Sequence, residues 1–389
     1  MAHDRYDVAI VGGGINGCVA AKFLAEDHDV VVLDKGQVAG GATGKASGLI
    51  SIVPDYIEHP GAARYAIDFF DAYDGTGDFE YTRRSSLKLV RADEVDRSRA
   101  DAERMAENFD VEYLDSADAV EERFPGVFTL DQYVGAVDVK EGGWVDPYTL
   151  TMTYKQDAEA AGATFETGVE VTGIETADGA VTGVETEAGL VEADDVVVAA
   201  GWRTRELVAE FVDLPIRPFR YQTVNLEIDR ELPDYFPVAW ERQSGLYWRP
   251  EHNGDLHVGG GTYFVEAEGD VRTTITERFR DTVAETIPSI VEDLGAARIV
   301  NGDTCPTGDA ATPDELAIFD APVACPDGLV VATGMHGFGI MASPATGAAV
   351  RALVTGEAAP FSLAEFALER FDDRSTAFGS EYIVDPSEA

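Results

Sequence analysis

The sequence predicts a mixed α/β chain, α+β overall, in which a parallel-sheet domain built from separated pieces carries an inserted antiparallel, β-rich domain. Three observations predict it. A βαβ unit opens the chain: residues 6–11 read as a buried strand, the Gly cluster 12–17 as a turn, the stretch through Ala25 as a helix and residues 30–33 as a second strand. A further continuous apolar run, 196–200, suits a parallel strand covered on both faces, and 329–333 reads as another buried strand. Between them, from Pro215 to about Gly261, segments such as 222–228 and 245–249 alternate instead, as antiparallel strands do.

The other elements fall into place around these. Residues 62–73 are amphipathic, and 92–108 read as an acidic helix. The run Gly142-Gly143-Trp144-Val145-Asp146-Pro147 punctuates the chain before a helix over 148–161 and short strands over 169–174 and 181–185. One helix, 273–294, interrupts the β-rich part, and a last helix is predicted from near Pro344 to Leu353. A chain of 389 residues suits two domains. The first takes residues 1–85, 142–214 and 322–389; the inserted one takes 86–141 and 215–321.

Seventy-two acidic residues against 29 basic ones, six of them Lys, give a formal net charge of −43. A polyanion of that size is a poor partner for nucleic acid or an anionic lipid surface, so neither is expected. The acids are scattered, which makes them a solvated coat. Such a coat, nearly without Lys, resembles that of cytoplasmic proteins from salt-accumulating archaea, where salt screens the self-repulsion. Three Cys with no CxxC or Cys/His cluster predict neither a disulfide framework nor a metal site. The opening residues lack the pattern of a secretory signal, and no run approaches the roughly eighteen apolar residues of a membrane span. The expectation is a cytoplasmic protein that does not span a membrane.

Chemistry enters at Gly12-x-Gly14-x-x-Gly17, which follows a strand and opens a helix, with Asp34 ending the next strand. Gly12 permits the tight turn, Gly14 lets a pyrophosphate approach the backbone, and Gly17 lets helix and strand pack closely. The helix start then faces the phosphates, and Asp34 can accept from a ribose hydroxyl. This is the fingerprint of a Rossmann-like dinucleotide-binding domain. The continuation GATGKASG (41–48) supplies small residues against which a bulky ring system can lie. Near the other end, VVATG (330–334) leads through Gly337 and Gly339 to a helix start whose N–H groups can face negative charge.

These motifs, with GGWVDPYTL (142–150), VVVAAG (196–201), TPDE (312–315) and GLVVATGMHGFGIMASPATG (328–347), occur in the order found in one family. The chain resembles the FAD-dependent D-amino-acid oxidase-like oxidoreductases, among them glycine oxidase, sarcosine oxidase and dimethylglycine-type dehydrogenases. The likeness runs along nearly the whole chain and is weakest over 92–128. It implies a Rossmann-like FAD-binding domain beside a substrate domain whose sheet covers the flavin. It also implies oxidation of the C–N bond of a small amine or amino acid by hydride transfer to flavin N5, giving an imine that water hydrolyses. The residues it places on FAD are Gly12, Gly14, Ile15, Asn16, Gly17, Asp34, Lys35, Ala42, Thr43, Gly44, Ser47, Gly48, Val171, Gly201, Gly334, Gly337, Phe338, Gly339, Ile340 and Met341. Non-covalent binding is expected. The alternative is a thioether at Cys305, two residues further from TPDE than the flavin-linked Cys of monomeric sarcosine oxidase; its other reading is inert packing.

The substrate side departs from the family. Glycine and D-amino-acid oxidases carry a carboxylate-gripping Arg shortly before the segment matching Thr312-Pro313-Asp314, whereas residues 299–311 contain none. Met341 stands where some sarcosine oxidases have a Lys, and Gly48 and Ser51 stand where they have basic residues. Arg249 becomes the candidate anchor, its other reading being an exposed strand Arg on an acidic surface. His257 matches a Lys that promotes oxygen reaction, and is read either as facing the flavin or as a satisfied strand residue. His336 lies in the last Gly-rich loop, one place off the family's usual GHGF pattern, with Phe338 following it, yet within expected reach of the flavin. With Tyr247 these make the candidate catalytic set: His257, Arg249, His336 and Tyr247. His3, His28, His59 and His252 are expected on the surface or in loops. A mostly neutral His257 gives weaker help to oxygen chemistry than a Lys, which favours a dehydrogenase passing electrons to a quinone or an acceptor protein. Two alternatives stand beside this: a dehydrogenase of a 2-hydroxy acid or glycerol phosphate, and an electron-transfer flavoprotein subunit without its own substrate.

The charge balance makes a direct prediction. Self-repulsion loosens the compact state at low salt, since the Debye length is about 10 Å at 0.1 M and about 3 Å at 1 M. Thermal melts are expected to shift upward as KCl rises to several molar; a Tm indifferent to KCl would refute this.

Overall fold

The computed structural model describes residues 5–51, 59–74, 77–265 and 270–385; His3 lies outside them. Valine-rich runs build a first sheet. Tyr6–Val11 pairs in parallel with Val30–Asp34 on one side and Gly189–Val198 on the other. Leu329–Thr333 and Thr164–Thr167 extend the parallel run outward, and Ile318–Asp320 closes one edge antiparallel. Helices cover this sheet, which is why its central strands carry almost no polar side chains.

Gly189–Val198 belongs to two environments. Its first half pairs antiparallel with Ala180–Thr186, which pairs in turn with Val171–Ala177. From Ala193 it enters the parallel core, where Val196, Val197 and Val198 are fully buried. The apolar run 196–200 marks only that buried half, so the strand begins earlier than the sequence indicates and ends two residues sooner.

A second sheet of nine strands is drawn from residues 86–139 and 217–311. Its order runs Arg298–Thr304, Arg217–Glu227, Leu256–Phe264, Leu246–Pro250, Val238–Glu241, Ser86–Val90, Gly135–Val139, Val111–Leu114, with Asp309–Ala311 also pairing Arg217–Glu227. The pairs are antiparallel except where Val238–Glu241 meets Ser86–Val90, the joint between the two stretches of chain. A core of Trp248, Phe236, Val258 and Leu87 lies on one face, under the helix Glu277–Ile290 and Phe124 and Phe128. Leu49–Ile50, Gly143–Trp144 and Thr82–Arg83 form a small third sheet. Among the described residues no helix is long and apolar enough to cross a membrane.

Local chemistry explains the helix ends. Asp146 caps Pro147–Ala160, its Oδ1 accepting Thr149 N–H at 2.7 Å, and Thr276 caps Glu277–Ile290 through Phe279 N–H. The last long helix, Gly339–Thr355, begins five residues before the predicted start near Pro344. Pro344 has no N–H for the carbonyl of Ile340, and Ser343 Oγ donates to that oxygen instead, at 2.8 Å. This helix crosses Ile15–Leu24 so closely that a Cβ on Gly347 would lie 2.6 Å from the Phe23 ring.

Ile15–Leu24 is seated on the sheet by its glycine: a Cβ on Gly17 would collide with the carbonyl oxygen of Gly12. Gly12 itself has φ +113, and a Cβ there would lie 2.5 Å from Ala199 O. Gly17→Ala is expected to destabilise the protein by about 1–3 kcal/mol through this overpacking. Gly41→Ala, with nothing within 4 Å of the added carbon, is the control and should leave Tm nearly unchanged.

Candidate functional site

The carboxyl ends of the parallel strands open into a cleft with two lobes, each of about 430 Å³, that share Ala46, Tyr221, Gly337 and Ile340 as walls. The first lobe is built around the turn after Tyr6–Val11. Asp34 organises that turn: its Oδ2 accepts Gly13 N–H and its Oδ1 accepts Gly36 N–H, both at 2.7 Å. Each carboxylate oxygen keeps a further lone pair for a ligand hydroxyl. Thr43 Oγ1 accepts Ile15 N–H at 3.1 Å and so caps the helix start, which leaves the next N–H groups of that turn turned to the lobe. Asn16 Oδ1, on the wall, is buried without a partner.

On the opposite wall, Tyr221 donates its hydroxyl to Ala42 O and so divides the two lobes. Next to it lies Asp309, a carboxyl facing the first lobe. Oδ1 accepts Ala310 N–H at 2.7 Å and Oδ2 accepts Gly337 N–H at 3.2 Å. Burial outweighs these bonds and pushes the carboxyl up to about 6.

The second lobe is floored by the nine-stranded sheet. Tyr247 lies across Gly259, where any Cβ would meet its ring. Its hydroxyl is 2.8 Å from Ser47 Oγ, which is 2.8 Å from His257 Nε2, and His257 Nδ1 is 2.8 Å from Asn225 Oδ1. His336 lines the same lobe at φ +49, its ring between those of Phe219 and Phe338. Its Nδ1 accepts Thr312 N–H at 3.3 Å, so the neutral ring carries its proton on Nε2, which is buried without a hydrogen-bond partner, 3.8 Å from Glu315 Oε1. Burial holds this imidazole down to about 4, and it stays neutral.

Thirteen of the predicted cofactor residues line the first lobe: Gly12, Gly14, Ile15, Asn16, Asp34, Lys35, Ala42, Thr43, Val171, Gly201, Gly337, Gly339 and Ile340. Ser47, Gly48, Phe338 and Met341 line the second. Gly17, Gly44 and Gly334 line neither; each is a position where a Cβ would strike neighbouring protein, so they shape the walls from behind. Tyr247 and His336 face the second lobe.

Arg249 and His257 do not, and this corrects their expected roles. Arg249 is buried, its Nε donating to Ser47 O at 2.9 Å, Nη1 to Pro250 O and Nη2 paired with Glu251 at 3.0 Å. Its donors are committed, so it is neither exposed nor poised to grip a carboxylate. His257 is held behind Ser47. Burial, then the charge of Arg249, keeps its pKa well below the usual imidazole range, so it supplies no cation near neutral pH. Cys305 is fully buried among Phe219, Tyr221 and Phe264; it lines neither lobe, and burial pushes its thiol up to about 12. Sequence reasoning missed Asp309, Tyr221 and Glu315. The acid three residues ahead of Thr312-Pro313-Asp314 was the visible signal for the first.

Comparison with known proteins identifies the fold's relatives. The family model described as FAD dependent oxidoreductase matches residues 7–353. The human mitochondrial dimethylglycine dehydrogenase is 28% identical over 65% of this chain, which spans only 30% of that protein's length. The sarcosine oxidase subunit beta of Rhodobacter capsulatus is 26% identical over 95% of this chain and 89% of that one. The crystal structure of glycine oxidase from Geobacillus kaustophilus superposes with a TM-score of 0.82 at 24% identity, covering 95% of this chain and 100% of the other.

Asp309 generates a prediction about stability. A carboxyl whose pKa rises on folding, here from near 3.8 to about 6, favours the folded state fully below the unfolded value. That contribution is lost as pH rises through about 6. Asp309→Asn is therefore expected to stabilise the cofactor-free protein at pH 7–8 by on the order of 2 kcal/mol. It should also flatten the decline in stability between pH 4 and 7. Urea melts across that range check it; parallel pH profiles for both proteins would sink it.

Proposed function

The chain belongs to the FAD dependent oxidoreductase family, and from that premise we propose that it oxidises the C–N bond of a small amine or amino acid, as a dehydrogenase rather than an efficient oxidase. The observation that carries this is the two-lobed cleft: a dinucleotide lobe opening directly into a second lobe with aromatic and carboxylate walls. FAD is the cofactor of the family, and the residues present suit it. Asp34 receives ribose hydroxyls, the Gly12–Gly17 turn admits a pyrophosphate, and the orphaned Asn16 amide and the Gly337–Ile340 turn stand along the path to the second lobe. When bound, FAD supplies a two-electron acceptor. The buried, protonated Cys305 outside both lobes supports non-covalent binding.

The chain's own groups bind and orient. Tyr247 and His336 face the reacting amine, and the aromatic walls exclude water. We take residues 1–85, 142–214 and 322–389 as the FAD-binding unit and 86–141 and 215–321 as the substrate unit; the two large sheets support this division except at Ile318–Asp320, which pairs with Leu329–Thr333 in the parallel sheet. A glycerol phosphate substrate would call for free cations; among the lobe's described walls Arg242 is the basic residue, and it is paired with Glu381.

The neutral, withdrawn His257 supports slow oxygen reaction and transfer to a quinone or acceptor protein. Oxygen consumption should show no rise attributable to His257 between pH 8 and 5, and a quinone-like dye should be reduced faster than oxygen.

Purified protein is expected to be yellow with one FAD per chain, bleached anaerobically by an amine or amino acid. Asp34→Ala should raise the FAD dissociation constant about tenfold or more, through a lost charge-assisted bond. Tight binding of a nicotinamide dinucleotide with no flavin spectrum, or bleaching by lactate but no amine, would refute the reading.

A further inference from the structure

The direction of one hydrogen-bond chain decides what the second lobe offers a ligand. His257 Nδ1 faces two acceptors, Asn225 Oδ1 at 2.8 Å and Glu251 Oε1 at 3.7 Å. Nδ1 therefore carries the imidazole proton, and Nε2 is an acceptor. Ser47 Oγ must donate its single proton to Nε2. The Tyr247 hydroxyl must then donate to Ser47 Oγ. Its proton points away from the lobe, and its oxygen lone pairs are what remain for a bound molecule. The Tyr247 ring lies directly on Gly259, where any side chain would displace it.

The charges on the same walls agree. Glu241, Glu315 and Glu381 line the lobe with one guanidinium, that of Arg242, which is paired with Glu381. Glu241 accepts the Gln243 and Ser244 N–H groups and lies 3.6 Å from Arg91, and Glu315 accepts from Ser380 Oγ, so the walls carry more carboxylates than cations. Arg249, behind Ser47, has its donors committed. The residues outside the described structure contain neither Lys nor Arg. Phe219, Trp240 and Phe338 add aromatic walls, although Lys88 lies over the Trp240 ring and His336 lies between the two Phe rings; free ring faces attract cations and repel anions.

We propose that the second lobe recognises an alkylamine as its cation, free of any carboxylate, with Tyr247 accepting the ammonium N–H. This rests on the C–N reading above and narrows it to amines that are not amino acids. An ammonium finds a fixed lone pair, carboxylates and ring faces. A substrate carboxylate finds the same lone pair and the same carboxylates; the neutral His336 Nε2–H, 3.8 Å from Glu315, is a donor without charge, and no unpaired guanidinium or ammonium stands among the described walls. Ser47 is a positioning residue: it acts by fixing which way Tyr247 donates.

The test is anaerobic flavin bleaching of the FAD-loaded protein in molar KCl with matched pairs: N-methylethylamine against sarcosine, and N,N-dimethylethylamine against N,N-dimethylglycine. Each amine is expected to reduce the flavin at least about tenfold faster than its carboxylate partner at equal concentration, the value of one charged hydrogen bond. Tyr247→Phe should raise the half-saturating amine concentration about ten- to a hundredfold with FAD content unchanged. Ser47→Ala frees the Tyr247 proton to turn into the lobe, so the amine-to-amino-acid ratio should fall toward one, while Ser47→Thr, which keeps the hydroxyl that donates to His257 Nε2, should restore it. Amino acids reducing the flavin as fast as their matched amines would overturn the inference while leaving C–N oxidation standing. Bleaching by lactate or glycerol 3-phosphate alone, or by none of these compounds, would overturn both.

Discussion

The cleft depends on Ser47. Its loop comes from the side of the parallel sheet, yet its hydroxyl and carbonyl are bonded to Tyr247, His257 and Arg249 on adjacent strands of the nine-stranded sheet. The geometry of a sheet makes this possible. Tyr247 and Arg249, two apart on Leu246–Pro250, point to one face, and His257 lies directly opposite Arg249 on Leu256–Phe264. Three side chains thus converge on one residue, and Tyr221 adds a second tie through Ala42 O. These bonds hold the second sheet over the carboxyl ends of the parallel strands, which is where open α/β sheets bind ligands.

Burial redistributes charge in this site in a way that surface chemistry would not suggest. The chain carries a formal charge of −43, but almost all of it faces water. Inside, desolvation keeps His257 and His336 neutral and lifts Asp309 toward neutrality. Arg249, like Arg220 and Lys88, is a buried cation, and it is there for structure: it balances Glu251, holds Ser47 O, lies over Trp144 and suppresses protonation of His257. The result is a reaction space whose polar groups are mostly uncharged hydrogen-bonding atoms of defined direction, beside carboxylates at its margin.

Local signals made much of this legible in the sequence. The βαβ unit, the Gly12/Gly14/Gly17 turn, Asp34 and the Asp146-Pro147 helix start are written in residues next to one another, because turns, caps and phosphate-facing backbone are short-range geometry. The runs 196–200 and 329–333 marked parallel strands for the same reason: burial on both faces leaves them apolar but for the terminal Thr333, whose hydroxyl donates to Gly201 O. The family order of motifs then pointed to FAD before any fold was known. The strands within 86–139 were not legible. They are short, and each is completed by partners more than a hundred residues away or across a loop, as Ser86–Val90 is by Val238–Glu241.

The substrate side was decided by tertiary structure. From the sequence, Arg249 and His257 were basic residues in the right neighbourhood, and composition could not say that both turn their nitrogens to Ser47, Asn225 and Glu251 rather than to the cleft. Nor could it say that Asp309 and Tyr221 stand at the junction of the lobes, since their strands reach it only through pairing in the second sheet. The sequence by itself determined the nucleotide lobe, because a glycine turn and one acid a strand later suffice to define it. Only the folded chain determined what faces the substrate, because hydrogen-bond direction and desolvation depend on which distant residues close around each group.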